Sequence, residues 1–538
     1  MSAQRVVVIG AGVGGLVTAL ELASRGVDVQ LFEREAGPGG KMRELAPGGA
    51  AMDAGPTVFT MRWVFEELFD SIGLQLADHL RLEPVSVLAR HAWRGDQRLD
   101  LFADIARSAD AIGRFAGATE QRGYLAFCER ARAIYRTLET PFLRGARPNP
   151  LSLAARAGLR GLPGLLRISP FATLASELAR HFADPRLRQL FGRYATYCGS
   201  SPYLAPATLM LVAHVEQQGV WLVEGGMHRI ARTLATLARR RGATLHFDAA
   251  VDEIVVRGGA ACGVRLASGE TIVADAVVFN GDAAALPTGL LGGDARGACA
   301  PADPARRSLS ALTLNLLAET RGFPLSRHTV FFADDPKREF DDIFSHGRLP
   351  TAPTVYVCSQ DRGGTDDSGT DDGGTIDADA RTAAERLLLI VNAPATGDGR
   401  PFTPEELARC EAQTFQTLAR CGLRVMRNPE HTQRTTPQQF EQLFPATGGA
   451  LYGQASHGWA ASFRRPGARS ALPGLFLAGG SVHPGPGVPM AALSGRQAAA
   501  SVLAQLGSRA PRRSHPRSHP HSTSTSTPTA TPGGTSTR

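Results

Sequence analysis

The chain has 538 residues, 43% of them hydrophobic and 20% charged, enough apolar material for a large core and, at about 150 residues per domain, for two to four domains. A disordered chain, a disulfide-stapled scaffold and a small binding module are excluded. Five arginines and no acid lie from Ser508 onward, so only +3 of the net charge of +8 belongs to the rest, and a basic groove for nucleic acid is not expected.

The seven cysteines form no Cys-x-x-Cys pair and no metal-ligand spacing, so we expect no metal site and a reducing compartment. No apolar run reaches the ~18 residues needed to cross a bilayer. The apolar stretch 6–20 is studded with glycine and preceded by a single positive side chain, Arg5, so it reads as fold rather than as a signal peptide.

In chain order, residues 5–9 predict a strand, 10–15 a glycine turn, the stretch to about Ser24 a helix and 27–33 a second strand, together a βαβ unit. Helix-rich blocks follow at 100–215 and 400–440. Strands are expected at 244–256, 263–266 and 271–279, at 354–359 and 386–391, and at 474–479 before a Gly/Pro loop and a helix over 490–506. Residues 361–380 carry seven aspartates and one arginine among Gly, Ser and Thr, and read as a flexible acidic loop. The tail 508–538 reads as disordered, with His515, His519 and His521 as a solvated run rather than a metal site.

Gly10-x-Gly12-x-x-Gly15 follows a strand and opens a helix, and Glu33 ends the next strand about 20 residues on. Gly10 permits the tight turn, Gly12 lets the backbone approach a pyrophosphate, Gly15 lets helix and strand pack closely, and Glu33 reaches a ribose hydroxyl. This combination predicts dinucleotide binding.

The continuation from Glu33 through Gly39-Gly40-Lys41-Met-Arg43 to Asp53-Ala-Gly55-Pro56-Thr57 resembles the FAD-binding N terminus of the flavin amine oxidase and phytoene desaturase superfamily. Gly479-Gly480-Ser-Val-His483-Pro484-Gly485-Pro-Gly487-Val488-Pro489-Met490 resembles the C-terminal flavin motif of carotenoid desaturases. Val223-Glu224-Gly225-Gly226-Met227, the stretch from Asp275 to Asp282, Tyr356 to Arg362 and Val391-Asn392-Ala-Pro394 are similar to bacterial carotenoid desaturases as well, so the resemblance covers most of 5–506. Within that family, Gly55 to Met61 and Val488-Pro489-Met490 look most like the hydroxycarotenoid 3,4-desaturases. Departures are the acidic insert, the tail and the Ser481-Val482 pair.

The resemblance implies an α/β fold: an FAD-binding Rossmann-like domain of the amine oxidase type assembled from 1–95, 220–300 and 450–507, with a mixed α+β substrate domain at 96–219 and 301–449 and a helical membrane-facing region. It implies FAD held by Gly10, Gly12, Gly14, Gly15, Glu33, Gly40, Lys41, Gly55, Thr57, Val251, Gly479, Gly480, Gly487, Val488 and Met490. Val251 is expected on the adenine side through its backbone, or simply as a buried strand valine. The implied activity is insertion of the C3–C4 double bond into acyclic 1-hydroxycarotenoids by hydride transfer to flavin, with oxygen, a quinone or another carrier as electron acceptor. Other carotenoid desaturases, isomerases and ketolases of the fold, an amine oxidase, and a non-catalytic prenyl-binding protein stand as alternatives. Glu224 and His483 are the candidates for a catalytic base, or else a structural hydrogen-bonder and a loop stabiliser. A cytoplasmic protein resting on the inner or photosynthetic membrane of a photosynthetic bacterium is implied. Residues 151–168, with Arg156, Arg160 and Arg167 among leucines, serve either as its lipid-facing surface or as a buried helix pair, with Gly158, Gly161, Pro163 and Gly164 breaking any long helix.

Overall fold

The computed structural model describes residues 4–169, 171–363 and 383–509. The expectations for most of the acidic insert and of the tail lie outside these residues.

Val6, Val7 and Val8 are fully buried, as a β-branched run covered on both faces should be. Arg5–Ile9 pairs in parallel with Asp28–Phe32 on one side and Ala276–Phe279 on the other. Thr244–His246 and Leu475–Leu477 add the two outer strands, so three distant stretches of chain build one five-stranded parallel sheet. Every residue of the helix Val13–Ala23 is buried, between His228–Arg240 and Val488–Arg509. The contact with the last helix is close: Thr18 Oγ1 donates to the Gly495 carbonyl at 3.0 Å, and a Cβ on Gly495 would meet the Gly14 carbonyl. The other face is covered by the antiparallel strands Val251–Arg257, Ala260–Leu266 and Thr271–Val273, whose Ile254 and Val264 pack on Val7, Ile9 and Val277.

Two expected strands therefore divide. Residues 244–256 break at Asp248, which has φ 53°, and 271–279 break after Val273, each half joining a different sheet. Apolar alternation is the same in both halves, and only the location of the free backbone partners separates them.

A second sheet of eight strands runs Arg424–Met426, Ser310–Arg321, Glu385–Ala393, Val355–Ser359, His328–Phe331, Val87–Trp93 and Gln97–Phe102, with Thr432–Thr435 also on Ser310–Arg321. Val87–Trp93 is its hairpin partner to Gln97–Phe102, so the expected domain boundary at 95 falls inside a turn and belongs before Val87. The helix-rich block 400–440 holds the helix Pro404–Arg420, begun by a Thr403–Glu406 capping box, and the start of the helix Pro437–Leu443, with two short strands between them. Helices Ile105–Ala116, Ala118–Leu138, Leu174–His181, Pro185–Gly192 and Leu211–Gln217 close over one end of the sheet around Phe127, Phe182 and Phe191.

Pro150–Arg167 is helical on both sides of Gly158, whose φ of 64° interrupts it. Among the described residues no helix is long and apolar enough to cross a membrane.

A Cβ on Gly15 would fall inside contact distance of the Gly10 carbonyl, whereas one on Gly37 meets nothing within 4 Å. Urea unfolding is expected to show Gly15→Ala destabilised by about 1–3 kcal/mol and Gly37→Ala changed by less than about 0.5 kcal/mol.

Candidate functional site

A cavity of about 1400 Å³ opens at the C-terminal ends of the parallel strands, where Ile9, Phe32 and Phe279 give way to loops, and continues into the second domain. Gly12 heads the helix Val13–Ala23 without a side-chain cap, so the first amides of that helix face the cavity. Glu33 accepts from the Ala11 amide at 2.6 Å and from the Glu35 amide at 3.0 Å, bracing the glycine loop while its carboxylate stays on the wall. A Cβ on Gly12 or Gly14 would lie 2.8 or 2.6 Å from the Asn280 side chain, and one on Gly14 also 2.8 Å from the Gly479 amide. Gly40, at φ 56°, is held against Gly12 by the bridge between Gly12 and Gly39.

Lys41 donates to the Leu451 carbonyl at 2.8 Å and sits 5.3 Å from the Phe444 ring centroid. Burial lowers its pKa and the nearby Asp282 carboxylate opposes that. Asp282 lines the cavity, and its Oδ2 is buried with no hydrogen-bond partner among the described residues. Arg465, buried, donates to the carbonyls of Tyr452, Gly480 and Gln454 at 3.0, 3.3 and 2.7 Å, which ties the C-terminal glycine loop to the segment 452–454.

The cavity wall brings together Gly10, Gly12, Gly14, Glu33, Gly40, Lys41, Gly55, Thr57, Val251, Gly479, Gly480, Gly487, Val488 and Met490. Gly15 is not on that wall; it is where the helix packs on its strand. Glu224 is a correction to the expected base. The glycines that follow it turn the chain at φ 80° and 88°, sending the Met227 and His228 amides onto Asp53 at 2.8 and 3.1 Å. Glu224 itself faces outward, exposed, 3.4 Å from Arg81 and off the cavity wall.

His483 is fully buried behind the loop, with Nε2 shared between the carbonyls of Phe142 and Gly145, both at 3.0 Å. Burial pushes its pKa down to about 4, so the neutral ring donates to both carbonyls and ties the loop to the segment 142–145. It is a loop stabiliser. Neither it nor Glu224 touches the space a substrate would occupy.

Residues that sequence reasoning missed lie on the same wall: Arg193, Glu216, His328 and Tyr452, together with Asn280 and Asp282, which were seen only as part of a similar stretch. The position of Asn280 directly after a parallel strand was a usable signal. Arg193 and Glu216 had none, since both sit in helical blocks of ordinary composition.

The site fits a flavin dinucleotide. The uncapped helix end suits an anionic pyrophosphate, Glu33 offers acceptor oxygens to ribose hydroxyls, and the unpartnered Asp282 oxygen and the side-chain-free glycine walls leave both a hydrogen-bond site and room for a flat ring.

The family model described as flavin containing amine oxidoreductase matches residues 13–503. Hydroxyneurosporene desaturase from Rubrivivax gelatinosus is 55% identical over 95% of this chain and 95% of its own length, and that from Cereibacter sphaeroides is 46% identical over 94% and 98%. The 4,4'-diapolycopene oxygenase of a Methylomonas species is 30% identical over 94% and 99%. Among solved structures, putrescine oxidase bound to putrescine has a TM-score of 0.56 at 14% identity, covering 93% of this chain and 99% of that one, a likeness of fold.

A Cβ at Gly480 meets nothing closer than 3.7 Å. Gly480→Val is expected to leave the flavin-free protein folded with an unchanged circular dichroism melt while lowering the flavin absorbance of the purified protein. A second expectation concerns pH. His91, His457 and His483 are held near 4 and His328 near 3, chiefly by burial, against 6.5 when free. The unfolded chain binds protons in that interval that the folded one does not, so stability is full above about pH 6.5 and falls as pH drops toward 4. Melting temperature against pH is expected to show this slope, and His483→Leu to flatten part of it.

Proposed function

The chain belongs to the flavin-containing amine oxidoreductase family and, within it, to the carotenoid desaturases, and from this we propose that it is an FAD-dependent enzyme introducing the C3–C4 double bond into acyclic 1-hydroxycarotenoids. The observation that carries the reading is the continuity of the cavity: one arm is walled by glycine loops and the other by Leu88, Leu138, Leu153, Leu209, Val212 and Phe463, a lining suited to a hydrocarbon.

Desaturation takes a hydride and a proton from neighbouring carbons, and bound FAD supplies the two-electron sink. The chain's own residues hold the polyene in line, keep water out and receive the proton. The glycine loops, Glu33, Lys41, Gly55 and Thr57 would hold the cofactor. Glu216 is the carboxylate on the wall of the apolar arm and takes the part expected of Glu224. Its oxygens accept from Tyr194 at 2.7 Å and Tyr197 at 2.6 Å, and burial raises its pKa, making it a better proton acceptor than a free carboxylate.

The apolar arm reaches the surface beside Phe171 and Trp459, 78% and 48% exposed and in edge contact at 5.6 Å, with Leu151 83% exposed nearby in sequence to the wall residue Leu153. This apolar rim supports a mouth that rests on the membrane from which a carotenoid enters. In the helix Pro150–Arg167 the outward Leu151 supports the lipid-facing reading and the buried Leu153 supports packing against the body. Arg156 is less suited to lipid than expected, because its guanidinium folds back on the Ala146 carbonyl. Oxygen, a quinone or another carrier would serve as the final electron acceptor.

Anaerobic addition of 1-hydroxyneurosporene in liposomes is expected to bleach the flavin band and red-shift the carotenoid spectrum; an oxidised flavin with an unchanged carotenoid would refute the substrate assignment. Phe171→Asp with Trp459→Asp is expected to weaken co-sedimentation with anionic liposomes about tenfold or more while flavin content stays the same.

A further inference from the structure

On the wall of the apolar arm, next to Thr57, lies a compact group of polar side chains. Thr57 Oγ1 is 2.6 Å from the Tyr356 hydroxyl, which is 2.7 Å from His328 Nδ1. The Arg193 guanidinium lies 5.3 Å from the Tyr356 ring centroid. Beyond it, Tyr194 and Tyr197 donate to the two oxygens of Glu216.

Each hydroxyl in this group already has a hydrogen-bond partner, whereas Arg193 has the Tyr356 ring beside it and no carboxylate. Among the described residues it forms no ion pair with a carboxylate, and its Nη1 is buried without a hydrogen-bond partner. Arg193 is half-buried and its side chain lines the cavity, so an apolar chain filling that arm takes its guanidinium out of water, and a ligand oxygen that accepts from it replaces the hydrogen bonds so lost. Tyr197, whose proton is committed to Glu216, has lone pairs left to accept one. A donor and an acceptor on one wall are what a single hydroxyl group needs.

A carotenoid repeats the same methyl-branched unit along its length, so an apolar tunnel holds one register little better than the next, and a slip of one unit changes the buried area little. A polar end group is the one handle. In a 1-hydroxycarotenoid a single carbon separates the hydroxyl-bearing carbon from the C3–C4 bond. A hydroxyl anchored beside Thr57 therefore sets that bond next to the loop carrying Gly55 and Thr57.

We infer that Arg193, between Tyr356 and Tyr197, binds the tertiary hydroxyl of the carotenoid and thereby determines which bond is presented for oxidation. This rests on the function proposed above and adds the residue that discriminates hydroxylated from plain carotenoids.

The test compares 1-hydroxyneurosporene with neurosporene, which lacks the hydroxyl, in vesicles of one composition. Apparent Kd comes from quenching of tryptophan fluorescence and kcat/KM from the visible spectrum. The native protein is expected to prefer the hydroxylated carotenoid, and Arg193→Met to reduce that preference about 10- to 100-fold through the hydroxylated substrate, with neurosporene binding and flavin content held. Arg193→Lys is expected to recover part of the preference. An equal fall on both carotenoids, or an unchanged preference, overturns the inference while leaving the desaturase reading intact. A native protein inactive on 1-hydroxyneurosporene overturns both. Should Arg193→Met fail to fold, Tyr197→Phe is read by the ratio of apparent Kd values alone, because Tyr197 also donates to Glu216 and its loss changes turnover on both carotenoids: a reduced ratio supports the inference and an unchanged ratio overturns it.

Discussion

Gly12, Gly14 and Gly15 lie so close to Asn280, Gly479 and the Gly10 carbonyl that no side chain fits between them. The first turn of the helix Val13–Ala23 is thereby pressed against the ends of two strands that arrive from residues 276–279 and 475–477. That close approach aims the helix amides at the cavity, and it also brings the C-terminal glycine loop beside the N-terminal one. The backbone contact at Gly495 extends the same constraint along the last helix, so the cradle is defined by two helices that cannot move apart independently.

Around this contact, buried polar groups do the joining that apolar packing does not specify. Asp53 accepts from the Met227 and His228 amides while Gln360 and Asn315 hold its backbone, so one aspartate links the N-terminal loop, the helix His228–Arg240 and the second sheet. Arg465 and His483 do the same for the C-terminal loop, each by donating to main-chain carbonyls of another segment. Such bonds are directional, and that is their advantage over burial alone: they fix where each loop stops relative to the others.

The two arms of the cavity differ in how they recognise what they hold. The glycine arm presents backbone amides and carboxylate oxygens, suited to a charged and hydroxyl-rich ligand. The other arm presents aliphatic and aromatic side chains with a single polar group near the junction, suited to a long hydrocarbon with one polar end. The junction at Thr57 and Tyr356 is where the loop carrying Gly55 and the second sheet meet.

What the sequence by itself determined is local. The strand, glycine turn and helix of the first thirty residues, the acid at Glu33, the Gly/Pro loop after 479 and the family to which these belong follow from residue types at short spacings. Glycine positions and a βαβ pattern carry their own steric and hydrogen-bonding reasons. Only the tertiary structure decided which sheet each half of 244–256 and 271–279 joins, that Glu224 turns to the surface, that His483 braces a loop, and that Arg193 and Glu216 line the cavity. Strand alternation does not say which edge has free amides, and a charged residue in a helical block does not say which side of its helix meets a cavity. Those facts depend on contacts between residues hundreds of positions apart, and such contacts leave no mark on the local pattern.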